Sequence, residues 1–209
     1  MRKTNVITTV AMSILLVLSS VPHPPEAAGY DGKNYLLLKL GAYSPQHDDL
    51  NNFDPGFNGE IFYGRYFHKN FASELGVGYF KSNGSKQISA TTLKKDEFKA
   101  IDILYTVKGI LPLGVLELFA GPGVGWYSAR VNSILITNGI RTALTDTNGG
   151  LGYHVLAGAN FNITPKWFGG IEGKYFWAKT TDHITTVPPG FFGTHLDGAI
   201  ATANVGYRF

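Results

Sequence analysis

Eight stretches of the chain alternate between two kinds of side chain, most of them with one clearly apolar parity, and nothing constrains its fold more. They run over 34–43, 58–68, 71–80, 98–110, 115–127, 150–161, 167–178 and 196–209. In the first, Leu36, Leu38, Leu40 and Ala42 oppose Leu37, Lys39, Gly41 and Tyr43. In the third, Leu75, Val77 and Tyr79 oppose Glu74, Gly76 and Gly78, and in the last Ala199, Ala201, Ala203, Val205, Tyr207 and Phe209 oppose Gly198, Thr202, Asn204, Gly206 and Arg208. A period of two is the signature of a strand with unlike faces. The stretch 58–68 is the least one-sided, with aromatic residues on both parities and Arg65 on the apolar one.

The connections sort as well. Three are short, His68 to Asn70, Leu111 to Gly114 and Asn162 to Lys166, and they alternate with four long polar ones at about 44–57, 81–97, 128–149 and 179–195. A soluble sandwich has no reason to sort its connections this way. A transmembrane barrel has one, because its short turns face the periplasm and its long loops face outside. Lipid offers no hydrogen bonds, so spanning strands must close on themselves, and about ten tilted residues cross the hydrocarbon layer. The expected fold is therefore all-β, an eight-stranded antiparallel up-and-down transmembrane β-barrel over residues 30–209.

Composition agrees. The 26 glycines suit a narrow barrel in which small residues make room for large lumen neighbours. Charged residues are only 16% of the chain, against about 25% in soluble domains. With no cysteine there is no disulfide framework, thiolate metal site or thiol nucleophile. A formal charge of +3 without a basic cluster argues against a nucleic-acid partner. Residues 1–29 read as a cleaved secretory signal peptide: Arg2 and Lys3 precede an apolar run densest at Ile14 to Leu18, prolines at 22, 24 and 25 end it, and Ala27 and Gly29 stand at the expected cleavage site. Tyr35, Phe67, Tyr79, Trp126, Phe168, Trp177 and Tyr207 are expected to form the aromatic girdles at the two membrane surfaces. Pro122 lies inside a strand pattern and is expected at a bulge or another position that needs no amide.

The terminal segment Val205-Gly206-Tyr207-Arg208-Phe209 resembles the closing strand of bacterial outer-membrane barrels, which ends on a C-terminal Phe. Phe57-Asn58-Gly59-Glu60, Leu75-Gly76-Val77-Gly78-Tyr79, Ala120-Gly121-Pro122-Gly123-Val124-Gly125 and Gly152 to Gly158 are also similar to the porin-like small barrel family, which includes relatives of outer-membrane protein W and the opacity proteins. The resemblance implies a location in the cell outer membrane, contact with outer-membrane lipids, and Tyr207 and Phe209 as a signal to the barrel-assembly machinery. Through outer-membrane protein W it also implies a small hydrophobic ligand.

Parity assigns the lumen. Lys39, Glu74, Lys108, Glu117, Glu172 and Arg208 fall inward near the short turns, where they are expected to pair as a charge plug, because buried charges require partners. Glu74, Lys108 and Glu117 stand on consecutive strands with alternating sign. Glu60, Asp102, His154 and Lys174 form an upper polar tier. Between the tiers, Phe62, Leu104, Phe119 and Leu156 make an apolar layer, either packed core or a pocket, with Phe80, Phe176 and Ile200 above it.

The function expected from these features is a narrow or closed channel, or a binder, for small hydrophobic molecules. The alternative is a structural or adhesin-like barrel acting through its long loops. A lipid-modifying enzyme is a lesser alternative: His47, His68, His154, His183 and His195 include no His-x-Ser arrangement, and no serine is expected inward near His154, so no catalytic residues are assigned. No cofactor or metal is expected either, since Asp48, Asp49 and Asp54 lack the spacing of a calcium loop and Gly121, Gly123 and Gly125 precede no helix.

Overall fold

The computed structural model describes residues 30–46, 53–89, 92–137, 140–178 and 196–209. The signal segment 1–29, the loop residues 47–52 and the connection 179–195 lie outside the described residues. Eight strands follow in order: β1 (Asn34–Pro45), β2 (Gly56–His68), β3 (Phe71–Ser89), β4 (Thr92–Leu113), β5 (Leu116–Thr137), β6 (Ile140–Asn162), β7 (Trp167–Ala178) and β8 (Gly198–Arg208). Each pairs antiparallel with its neighbours, and β1 closes onto β8 from Tyr35↔Arg208 to Pro45↔Gly198. Closure removes both sheet edges, which a strand surrounded by lipid requires.

The two faces are inverted relative to a soluble protein. On β1, Leu36, Leu38 and Leu40 are 44–49% exposed while Lys39 between them is fully buried. Leaving leucine outside and burying lysine is favourable only where the outside is hydrocarbon. The same parity runs through every strand and resolves the ambiguous one: on β2, Glu60, Phe62, Gly64 and Tyr66 face inward and Ile61, Tyr63, Arg65 and Phe67 outward. Outward aromatic pairs bracket the apolar belt. Phe67 stacks on Phe71, and Trp167 packs on Tyr207, toward the short turns, while Tyr153 stacks on Trp177 at the other margin.

Two expected girdle residues are corrected. Tyr35 and Phe168 are 3% and 1% exposed and lie in the lumen, as their shared parity with Lys39 and Glu172 requires. Each ring occupies the space where a neighbouring glycine has no side chain: a Cβ on Gly64 would run into the Tyr35 ring, and one on Gly206 into Phe168. Pro122 is not at a bulge. It pairs with Val155 on β6, and on the other side the ladder to β4 lapses between Thr106↔Gly123 and Gly109↔Ala120 without a change of register.

The loop boundaries change more. Segments 81–97 and 128–149, expected as loops, are mostly paired strand. β3 and β4 stay in register from Phe71↔Gly109 up to Gln87↔Leu93, and β5 and β6 from Leu116↔Phe161 up to Thr137↔Ile140. β4, β5 and β6 are 22, 22 and 23 residues long, about twice the 9–11 that cross a membrane. Since β4 and β5 also pair up to Thr92↔Thr137, strands β3 to β6 continue outward as one four-stranded wall.

Candidate functional site

The lumen is built from the inward parity of all eight strands, and its charged side chains meet in defined groups. At its centre Lys39 (β1), Glu74 (β3), Lys108 (β4) and Glu172 (β7) form a ring of alternating sign. The Lys39 Nζ donates to both Glu172 oxygens at 2.7 and 2.8 Å and lies 3.5 Å from Glu74. Lys108 Nζ is 2.8 Å from Glu74 and 3.0 Å from Glu172. The Tyr35 hydroxyl donates to Glu74 at 2.8 Å. All four charged side chains are buried.

The expected charge plug is two groups rather than one, and Glu117 is not part of this ring although it follows Glu74 and Lys108 on consecutive strands with alternating sign. It lies at the short-turn end, where Arg208 Nη2 donates to both of its oxygens at 3.2 Å, Tyr66 donates at 3.3 Å and Asn162 at 3.2 Å. The Arg208 guanidinium is held between the rings of Tyr30 and Phe168, at 4.0 and 4.1 Å. Counting residues from each turn put Lys39, Glu74 and Lys108 on a level with Glu117 and Arg208; the strands tilt and are staggered around the barrel, so equal counts on different strands are not equal heights.

Above the ring, Glu60 pairs with Lys174 and accepts a hydrogen bond from Asn58 at 3.2 Å. His154 Nε2 is 2.9 Å from the Thr106 hydroxyl. Asp102 is fully buried, packs where Gly78 has no Cβ, and has no side-chain donor among the described residues. The upper tier is therefore two separate contacts with the Asp102 carboxylate apart from both.

The apolar layer is present, with Phe62, Leu104, Phe119 and Leu156 all buried. It is not separate from the charges: Lys39 Nζ stands 4.2 Å from the Phe62 ring centre and Lys108 Nζ 4.2 Å from that of Phe119. Both phenyl faces thus carry an ammonium, a cation–π arrangement that fills the space between tiers.

The feature least anticipated lies at the outer end. Tyr43, Phe80, Phe98, Tyr127 and Phe176, each at most 1% exposed, pack as one aromatic cluster, with Tyr43 4.7 Å from Phe80, Phe80 5.6 Å from Phe176 and Tyr127 stacked on Phe176 at 5.1 Å. Phe53 caps it against Phe98. Phe80 and Phe176 were expected inward and Tyr43 was placed on the parity of Lys39, whereas Phe98 and Tyr127, on the parities of Asp102 and Glu117, were not singled out. Phe53 sits in a connection and carried no such signal. Beyond the cluster, the wall bears a polar cleft of about 600 Å³ lined by Asp54, Asn83, Asp96, Glu97, Asn132 and Ser133 among others. Tyr207 and Phe209 lie on the outer surface, Phe209 with 55% exposure.

A family model described as the outer membrane protein beta-barrel domain matches residues 13–209. Among solved structures, Neisserial surface protein A is 15% identical, with a TM-score of 0.54, 85% of this chain and 96% of that one being covered. A major outer membrane protein from Thermus thermophilus is 16% identical at a TM-score of 0.50, covering 85% and 99%. The attachment invasion locus protein of Yersinia pestis is 14% identical at 0.49, covering 86% and 99%. At these identities the likeness is one of fold. No curated protein sequence matches the chain.

Proposed function

Starting from a chain that belongs to the outer membrane protein beta-barrel domain family, we propose a closed barrel whose task lies outside the membrane: a surface-contact protein that presents the β3–β6 wall on a sealed transmembrane base. The carrying observation is the filling of the lumen. From the Arg208–Glu117 pair through the four-charge ring to the aromatic cluster around Tyr43, each level is occupied by buried, mutually packed side chains. A bore that conducts ions needs a continuous water-filled path, and narrow barrels fill theirs with side chains.

The wall supports the same reading. At about 3.3 Å per residue and a tilt of about 40°, 22 residues rise roughly 55 Å, against about 30 Å of hydrocarbon. Roughly half of β4, β5 and β6 therefore stands clear of the membrane. Uptake of small hydrophobic molecules would instead require the apolar layer to be open, whereas Phe62 and Phe119 are covered by Lys39 and Lys108.

Two measurements test the proposal together. Purified barrel in planar bilayers is expected to show no steady ohmic conductance, and replacing 131–146 by a tight turn is expected to abolish binding of the producing cells to host surfaces or matrix while the folded, heat-modifiable band persists. Steady conductance by the wild type, or attachment unaffected by the shortened hairpin, would overturn it.

A further inference from the structure

The outward face of the same wall carries charge where the apolar belt ends. Lys81 on β3 pairs in register with Lys99 on β4, and Lys99 with Arg130 on β5. The three therefore form one row across the strands, inclined to the membrane plane by the strand tilt. Adjacent strands lie about 4.8 Å apart, so the row spans about 10 Å. The next outward positions toward the membrane are Tyr79, Ile101 and Ser128, and below them Val77, Ile103 and Trp126, which belong to the lipid-facing belt. One step along the wall thus takes the surface from hydrocarbon-facing residues to three cations.

We propose that Lys81, Lys99 and Arg130 form a binding site for the phosphate groups of an anionic lipid in the outer leaflet. Three observations carry this. The height is that of headgroups rather than of acyl chains, because the row stands directly above Tyr79 and Ile101. The ammoniums are held in place: Glu97 is 2.9 Å from Lys81 Nζ, also pairs with Lys99, and leaves the four-residue cluster with two net positive charges. Finally, the row is one-sided. Among the described residues, the outward positions at the top of the belt on β1, β2, β7 and β8, including Ala42, Ser44, Phe57, Trp177 and Ala199, include no Lys or Arg. Solvation alone would give no reason to gather the cations on three adjacent strands. Below the row Trp126 lies over Gly149, where a Cβ would stand 3.0 Å from the indole, and offers a flat platform for the sugar or glycerol portion that joins phosphate to acyl chain.

A cation near an anionic membrane surface gains about a fivefold preference, so two net charges favour a phosphorylated lipid by roughly 25-fold over its dephosphorylated counterpart. The test uses the full folded barrel in detergent, with diphosphorylated lipid A and the same glycolipid after phosphatase treatment as competing probes, and reads retained lipid by native mass spectrometry. The wild type is expected to retain the diphosphorylated probe preferentially. The triple variant K81Q/K99Q/R130Q is expected to bring the ratio near one, while K33Q/K69Q/K166Q at the opposite rim leaves it unchanged. E97Q removes the neutralising carboxylate and is expected to raise the ratio about fivefold, which decides the matter even if the triple variant does not fold. Wild type without preference, a triple variant that keeps it, an equal loss from the opposite-rim variant, or a lower ratio in E97Q would overturn the proposal. Suppression of the preference by millimolar inorganic phosphate without any dependence on acyl chains would do so too, by showing a site for free phosphate rather than for lipid.

Discussion

Replacing Lys108 by Met breaks the lumen ring while keeping most of the side-chain volume. In the wild type its ammonium is 2.8 Å from Glu74 and 3.0 Å from Glu172 and covers the Phe119 ring. At an effective dielectric of about 20, two unit charges about 3 Å apart attract by about 5–6 kcal/mol, and burying the ammonium opposes this by several kcal/mol. Removing one member of a buried pair costs about 3–5 kcal/mol, because a charge is left uncompensated. Here the lower end applies, since Glu74 keeps Lys39 and the Tyr35 hydroxyl and Glu172 keeps Lys39. The expected loss is therefore about 3 kcal/mol. The double variant K108M/E74Q restores neutrality and should recover more than half of it. Urea titration of the refolded barrel in vesicles, read by the heat-modifiable gel shift, measures both. A single variant within about 0.5 kcal/mol of wild type, or a double variant that loses the sum of the two single losses, would refute the ring as a coupled unit.

Phe176→Ala removes a fully buried ring from the middle of the outer aromatic cluster and is expected to cost about 3–5 kcal/mol in the same titration; a loss below about 1 kcal/mol would mean the cluster does not pack as described. Gly206→Val drives a side chain into the Phe168 ring and should cost about 1–3 kcal/mol, with partial rescue by Phe168→Leu; indifference to the valine would count against the close contact. Outside the membrane, hydrogen bonds from Lys99 and then Lys81 lower the Glu97 carboxyl from 4.5 to about 2. A depressed carboxylate contributes stability that is present above its unfolded value and is lost as pH falls through the folded one. Amide protection at 95–99, corrected for the intrinsic exchange rate, should therefore be unchanged above about pH 5 and fall progressively between about pH 4.5 and 2, and a loss already complete at about pH 4 would show that the bonds do not hold.

Strand number, antiparallel order and the inward parity of every lumen residue were legible because lipid on one side and a lumen on the other force period two on each strand. The upper halves of β3 to β6 were not. Above the belt both faces meet water or polar neighbours, so outward Lys81, Asn83 and Ser85 look no different from loop residues while the hydrogen-bond ladder continues beside them. The same limit applies to partners within the lumen. Parity placed Lys39, Glu74, Lys108, Glu117, Glu172 and Arg208 inside, but which of them touch depends on the stagger between strands, a property of the closed barrel that no single strand carries. That is why one plug was expected where there are two groups, the four-charge ring and the Glu117–Arg208 pair. Tyr35 and Phe168 were read by residue type as girdle aromatics although their parity already placed them inside.

Stagger also gives the buried charges a use that stability does not. Ion pairs in an apolar interior are often no better than apolar side chains of similar volume, so the lumen could be filled without them. Parity, however, fixes register only to within an even number of residues, because a slip by two keeps every outward residue in lipid and every inward residue in the lumen. On β7 the residues two apart are Glu172 and Lys174. A two-residue slip that brought Lys174 to the place of Glu172 would set three ammoniums, those of Lys39, Lys108 and Lys174, against Glu74 alone, and would take Lys174 from Glu60. The apolar pattern accepts that slip and the charge pattern rejects it. In this lumen the paired charges, together with the fit of Phe168 over Gly206, distinguish the observed stagger from its even-numbered alternatives.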